Sequence, residues 1–267
     1  MRFIAALIVI PALFCVIGEL RAADVDLQVI LATDVSRSID ATEFALQRKG
    51  YAAALSDPRV LAAIRRQPHH AIGVCVIEFS GTEDQKIVID WTRLADAKDA
   101  GAIAAALVSA PRSFMGRTSI SAAIDFAARH FAAAEWHGAR RVLDISGDGT
   151  SNSGRPITEA RDDAVKHGIT INGLAILNNR ADLGFSTHTH PPGGLPFYYR
   201  HNVIGGPAAF LVVVKDFNSF AEAMTKKLTR EIDVAARGRI LPGRTGNRAV
   251  PREPEPEDRP GTPAALP

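Results

Sequence analysis

Apolar runs of strand length alternate with longer segments of helical period along most of this chain, and that alternation leaves few folds open. The runs 26–33, 71–79, 85–91, 140–146, 169–176 and 209–214 read as strands, and 40–56, 58–66, 96–109, 119–133, 156–167 and 217–236 as helices. A strand buried on both faces reads as a continuous apolar run, so the pattern predicts a largely parallel α/β sheet with helices on both sides. One connection breaks the rule. Only 80-SGTED-84 separates 71–79 from 85–91, too short for a helical crossover, so this pair is expected to be an antiparallel hairpin at a sheet edge.

The ends of the chain have a different character. Arg2, the apolar stretch from Phe3 to Ile17, and the small residues Ala22 and Ala23 follow the layout of a secretory signal peptide, expected over residues 1–23. The apolar stretch is shorter than the ~20 residues that a bilayer span needs. Cleavage would remove Cys15 and leave Cys75 as the only thiol, so no internal disulfide framework accompanies export. Cys75 itself, within 71-AIGVCVIEF-79, reads as a small buried hydrophobe. Residues 24–241 then form one domain, and 242–267, ending in 251-PREPEPEDRPGTPAALP-267, read as a disordered tail. A net charge of +2 argues against a nucleic-acid or anionic-membrane surface.

In a fold of this kind ligands gather at the carboxyl ends of the strands. Three loops on that rim carry hard oxygen donors. After the first strand, 33-TDVSRSID-40 presents Asp34, Ser36 and Ser38 on alternate residues. The loop 114-FMGRTSIS-121 offers Thr118, and 146-SGDGTSNSG-154 offers Asp148. Two carboxylates and three hydroxyls suit Mg²⁺, Mn²⁺ or Ca²⁺, with Mg²⁺ the first expectation. The low negative charge keeps the ion electrophilic towards an incoming acidic group. Singly, each residue is also a natural helix cap or turn former; together, on three loops of one rim, they point to a metal site.

The set Asp34-Val-Ser36-Arg-Ser38, Thr118 and Asp148, in this order, resembles the metal-ion-dependent adhesion site (MIDAS) of von Willebrand factor type A domains. The resemblance runs roughly over residues 25 to 237. It implies a Rossmann-like three-layer sandwich with a six-stranded sheet in the order 3-2-1-4-5-6, an antiparallel edge strand, and the ion near the first and fourth strands. By the same resemblance Ser36, Ser38 and Thr118 would offer hydroxyls to the ion, and Asp34 and Asp148 would bind it directly or through water. Gly147 departs from the pattern, since many relatives have threonine there, which bears on how directly Asp148 makes contact. The segments 138-GARRVLDISGDGTSNSG-154, 168-GITINGLAI-176 and 198–232 resemble a branch of exported bacterial proteins known as domain of unknown function 1194.

Other polar residues carry structural expectations. Glu78, Asp144 and Asn172 interrupt apolar strands and are expected in satisfied buried networks, Asp144 with Arg140, Arg141 or Arg161 and Asn172 with backbone. His188, His190 and His201 lie in or after the long connection 178–202, which reads as a solvated loop shaping access to the site, with a second metal site the alternative. Tyr198 and Tyr199 are expected in a short helix packed on the sheet. His69 and His70 read as a turn, Gly205-Gly206-Pro207 as a tight turn, and Arg65-Arg66 and Lys226-Lys227 as solvated helix faces.

The function that these readings imply is an exported, periplasmic or secreted domain. Its cation would recruit an acidic side chain of a protein partner, without nucleic acid or stable membrane insertion after signal cleavage. The competing readings are a metal-dependent hydrolase using Asp148 or Glu78 as base and a structural protein whose metal only stabilises the rim. No Gly-x-Ser-x-Gly or His-Glu-x-x-His motif supports the hydrolase.

Overall fold

The structure, a computed structural model, describes residues 25–177 and 186–238. The expected signal peptide and tail lie outside the described residues, as does the start of the connection after residue 177.

Strand β1 (Leu27–Asp34) is buried along its whole length, as are β2 (Ile72–Phe79) and β5 (Ile169–Ile176). These continuous apolar runs occupy the interior of the sheet. With β3 (Gln85–Leu94), β4 (Arg141–Gly147) and β6 (Leu211–Val214) they form a six-stranded sheet in the order β3-β2-β1-β4-β5-β6. Only the β2–β3 pair is antiparallel. The expected topology and the edge hairpin are therefore both observed.

Successive residues of β1 feed opposite faces, as the two-residue period of a strand requires. Leu27, Val29 and Leu31 pack with Tyr51, Ile64, Phe220 and Met224, whereas Ile30 and Ala32 pack with Ile124, Phe131, Ala160 and Tyr199. The first layer is built by α1 (Ala41–Leu55), α2 (Pro58–Arg65), α3 (Ala97–Ser109) and α8 (Phe220–Gly238), and the second mainly by α4 (Ile120–Ala132) and α5 (Ile157–Lys166). After β5 the described chain resumes with the short helices α6 (Ser186–Thr189) and α7 (Leu195–Tyr198), and a π-helical turn covers Tyr199–Val203. Tyr199 is fully buried against the sheet, in line with expectation. His70 has φ 52° and Gly206 φ 91°, so both expected turns form.

The interior polar residues correct two expectations. Asp144 is matched by Lys227, 2.7 Å away, and by none of the three arginines. Lys227 is accordingly fully buried, where its sequence neighbourhood read as a solvated face. It also pairs with Glu231 at 2.6 Å, and Glu231 accepts from the Asn172 amide at 2.7 Å. Asn172 does meet backbone, its Oδ1 accepting from the Phe210 amide. One buried lysine thus serves two buried carboxylates. Desolvation pushes Asp144 up to about 7, against the pull of Lys227. Glu78, fully buried, is held by the Arg48 guanidinium and by the Ser113 amide.

Candidate metal site at the carboxyl rim of the sheet

Asp34 is the last residue of β1, and Gly147 is the last of the adjacent β4. Both strands therefore deliver their following loops to the same point. The third loop comes from the chain entering α4. It is fastened to the end of β2 by Ser80, whose hydroxyl donates to the Arg117 carbonyl and accepts from the Gly116 amide, both at 2.7 Å. The Ser80 carbonyl accepts from the Ser119 amide at 2.7 Å.

All five sequence-predicted residues are buried, and contacts join the loops after β1 and β4 directly. The Ser36 amide donates to Asp34 Oδ1 at 2.7 Å, closing an Asx turn. Ser36 Oγ lies 3.2 Å from Ser38 Oγ, and Ser38 Oγ donates to Asp148 Oδ1 at 2.7 Å. Thr118 lines the same small cavity as Ser36 and Ser38, of about 180 Å³.

Helix capping does not account for these hydroxyls. The N-cap of α1 is Asp40, in a complete capping box with Glu43, and the N-cap of α4 is Ser119. Ser36, Ser38 and Thr118 stand outside those caps and line the cavity. Asp148 is not the cap of α5 either, since that helix begins at Ile157 with Pro156 at its N-cap and no side-chain cap.

The electrostatics favour a cation. Asp34 is pushed up to about 7, first by burial and then by the neighbouring Asp148 carboxylate, while Ser36 and Arg112 pull it down. Its Oδ2 is buried with no hydrogen-bond partner, a costly state for a carboxylate oxygen. A hard dication answers both features. The 3.2 Å between the two serine oxygens is close to the ~3 Å separating neighbouring ligands of an octahedron with bonds near 2.1 Å. The donor set therefore fits Mg²⁺ or Mn²⁺.

Sequence reading missed the residues that hold this geometry. The Arg112 guanidinium donates to the Val35 and Ser36 carbonyls, both at 2.7 Å, and to that of Ile39 at 2.9 Å, stapling the first loop. Asn152 accepts from the Thr118 amide through Oδ1 at 3.0 Å and donates its own amide to the Thr118 carbonyl at 2.8 Å. A lone arginine after Pro111 gives no sequence signal for such a role.

Two other groups bear on the site. His188 is half-buried and faces it, rather than lying in a solvated loop: Nε2 is 3.2 Å from Thr118 Oγ1, and Nδ1 is 3.1 Å from Thr150 Oγ1. Burial holds its pKa below the ordinary imidazole value, against the attraction of Asp148. Glu78, the alternative base of the hydrolase reading, is committed to Arg48 and Ser113. Away from the rim, Cys75, Asp90 and His130 bring one potential metal-ligating atom each within 4.8 Å of one another. His190 and His201 make local contacts, with Thr189 and the Phe197 carbonyl.

The profile described as Protein of unknown function (DUF1194) matches residues 24–236. The chain belongs to the DUF1194 family. No individual curated protein matches this DUF1194 chain. Among solved structures it is similar to the pilus adhesin SpaC from Lactobacillus rhamnosus GG (TM-score 0.55, 14% identity, covering 80% of this chain and 31% of that one). It is also similar to a von Willebrand factor type A protein from Catenulispora acidiphila (0.51, 18%, covering 78% and 43%). A third is proximal thread matrix protein 1 from the mussel byssus, solved with a zinc-occupied MIDAS motif (0.51, 15%, covering 79% and 46%). The chain spans less than half the length of these structures. At such identities the likeness establishes the fold, which is that of a von Willebrand factor type A domain.

Proposed function

We propose that this DUF1194 domain is an exported, divalent-cation-dependent protein-binding module whose site is formed by Asp34, Ser36, Ser38, Thr118 and Asp148. One observation carries the reading: two buried carboxylates converge with the hydroxyls of Ser36, Ser38 and Thr118 on one rim, and the buried Asp34 Oδ2 has no hydrogen-bond partner. A divalent cation held there, Mg²⁺ by first expectation, supplies an electrophilic centre able to accept an acidic side chain from a partner protein. Ser36, Ser38 and Thr118 act as neutral donors, so the charge of the ion is only partly offset by the chain. Asp34 and Asp148 anchor the ion from the sheet side, and Arg112 and Asn152 keep the loops in register.

The relatives support this assignment by their nature. One is a pilus adhesin, and another was solved with zinc at a MIDAS motif. The amino-terminal layout of Arg2, the apolar run and Ala22-Ala23 supports the export part of the reading. The test is calorimetric titration of the purified protein with glutarate or an aspartate-containing peptide, with Mg²⁺ or Mn²⁺ and again with chelator. Cation-dependent binding that disappears in Ser36→Ala is expected. Binding that persists in chelator, or in Ser36→Ala, contradicts the assignment.

A further inference from the structure

We propose that His188 is a built-in nitrogen ligand of this cation site, occupying a coordination position that a partner's carboxylate must take over. The inference rests on the site reading above and goes beyond it, because an imidazole is not part of the oxygen-donor set.

Four observations place the ring. His188 Nε2 lies 3.2 Å from Thr118 Oγ1, the same spacing as Ser36 Oγ to Ser38 Oγ and close to that of neighbouring ligands on one octahedral ion. The ring lines the cavity that Ser36, Ser38 and Thr118 share. It rests directly on Gly149, where an added Cβ would collide with Nε2, so any other residue there would shift the ring. Finally, the histidine is oriented as metal-bound histidines are, by a partner on the other ring nitrogen. Thr150 Oγ1, which can accept from Nδ1–H, is 3.1 Å from Nδ1. The Thr150 amide also donates to the His188 carbonyl at 3.1 Å, fixing the backbone of the same residue.

Two consequences follow. An imidazole shifts the preference of an otherwise hard site towards Mn²⁺ and Zn²⁺. It also closes the site in the absence of a partner, so binding an acidic group requires exchange of one ligand for another.

The deciding experiment is pulsed electron paramagnetic resonance on Mn²⁺ bound to the whole protein. Wild type should show nitrogen modulation from one coordinated imidazole, and His188→Ala and His188→Gln should lose it while still binding Mn²⁺. His130→Ala, which removes the only histidine of the Cys75–Asp90–His130 cluster, should retain it. In parallel, Zn²⁺ affinity should fall about tenfold or more in His188→Ala with Mg²⁺ affinity unchanged, and acetate should bind the Mn²⁺-loaded variant more tightly than wild type. Bound Mn²⁺ without nitrogen modulation, or modulation that survives in both His188 variants, overturns the proposal and leaves the oxygen-donor site standing. Failure of wild type to bind any of the three cations removes the site reading, and this proposal with it.

Discussion

The phenol oxygen of Tyr199 stands where a side chain on Gly147 would have to go. A Cβ built on Gly147 lies 2.9 Å from Tyr199 Oη and 3.0 Å from Asp34 Oδ2. The glycine before Asp148 is thus matched to a buried tyrosine from the π-helical turn, whose hydroxyl has no hydrogen-bond partner in the protein.

Gly147→Ala should therefore cost about 1–3 kcal/mol in stability, the usual range for overpacking. Tyr199→Phe alone should be near neutral, because it removes a buried hydroxyl that satisfies nothing. In the double variant part of the Gly147→Ala loss should return. A double-mutant cycle by chemical denaturation measures this, and strictly additive effects would show that the two residues do not meet.

Arg112 should control the site from outside it. Arg112→Lys keeps a positive charge but cannot span the carbonyls of Val35, Ser36 and Ile39 at once. Cation affinity should drop by about 10–100-fold, as for other groups that orient ligands. Calorimetry on the variant checks this, and unchanged affinity would mean that the first loop holds its shape without the staple.

The buried cluster of Lys227, Asp144 and Glu231 predicts a large mutational cost at a position with no part in the site. Lys227→Met leaves two carboxylates without their shared cation and should destabilise the protein by about 3–5 kcal/mol. Denaturant unfolding reads this directly, and a loss below about 1 kcal/mol would contradict the buried pairing.

The same cluster sets a pH dependence. Asp144 is raised to about 7 in the folded protein, whereas an unfolded aspartate titrates near ~3.9. Between those values the native state holds a proton that the unfolded chain has released, so stability falls as pH rises through this window. Asp34 contributes with the same sign in metal-free protein, so the difference between wild type and Asp144→Asn is what reports Asp144. That variant should show a shallower decline from pH 4 to 7, measured by thermal melting in chelator; an unaltered slope rejects the assignment.

The sheet was legible because β1, β2 and β5 are predominantly apolar and buried along their whole length, and the short 80–84 connection admitted only a hairpin. The five rim residues were legible from their order and loop positions. Lys227 was misread because two adjacent lysines look solvated. The helical period held the correction: Phe220, Met224, Lys227, Leu228 and Glu231 fall on one face of α8, and all five are buried. Arg48 likewise shares the buried face of α1 with Tyr51 and Leu55. Arg112 lies in an irregular segment and His188 in the four-residue helix α6, too short for a period to link a residue to its neighbours in space, so their roles emerge only from the folded chain.

The central claim is that Asp34 and Asp148 hold a divalent cation. The most direct measurement is a calorimetric titration of Mn²⁺ into the wild-type protein and into Asp34→Ala, with thermal melting of each in cation and in chelator. The account predicts saturable binding of one ion to wild type, with a rise in melting temperature, and neither effect in Asp34→Ala. Equal binding by both proteins, or none by wild type even with acetate present to complete the coordination, would contradict it.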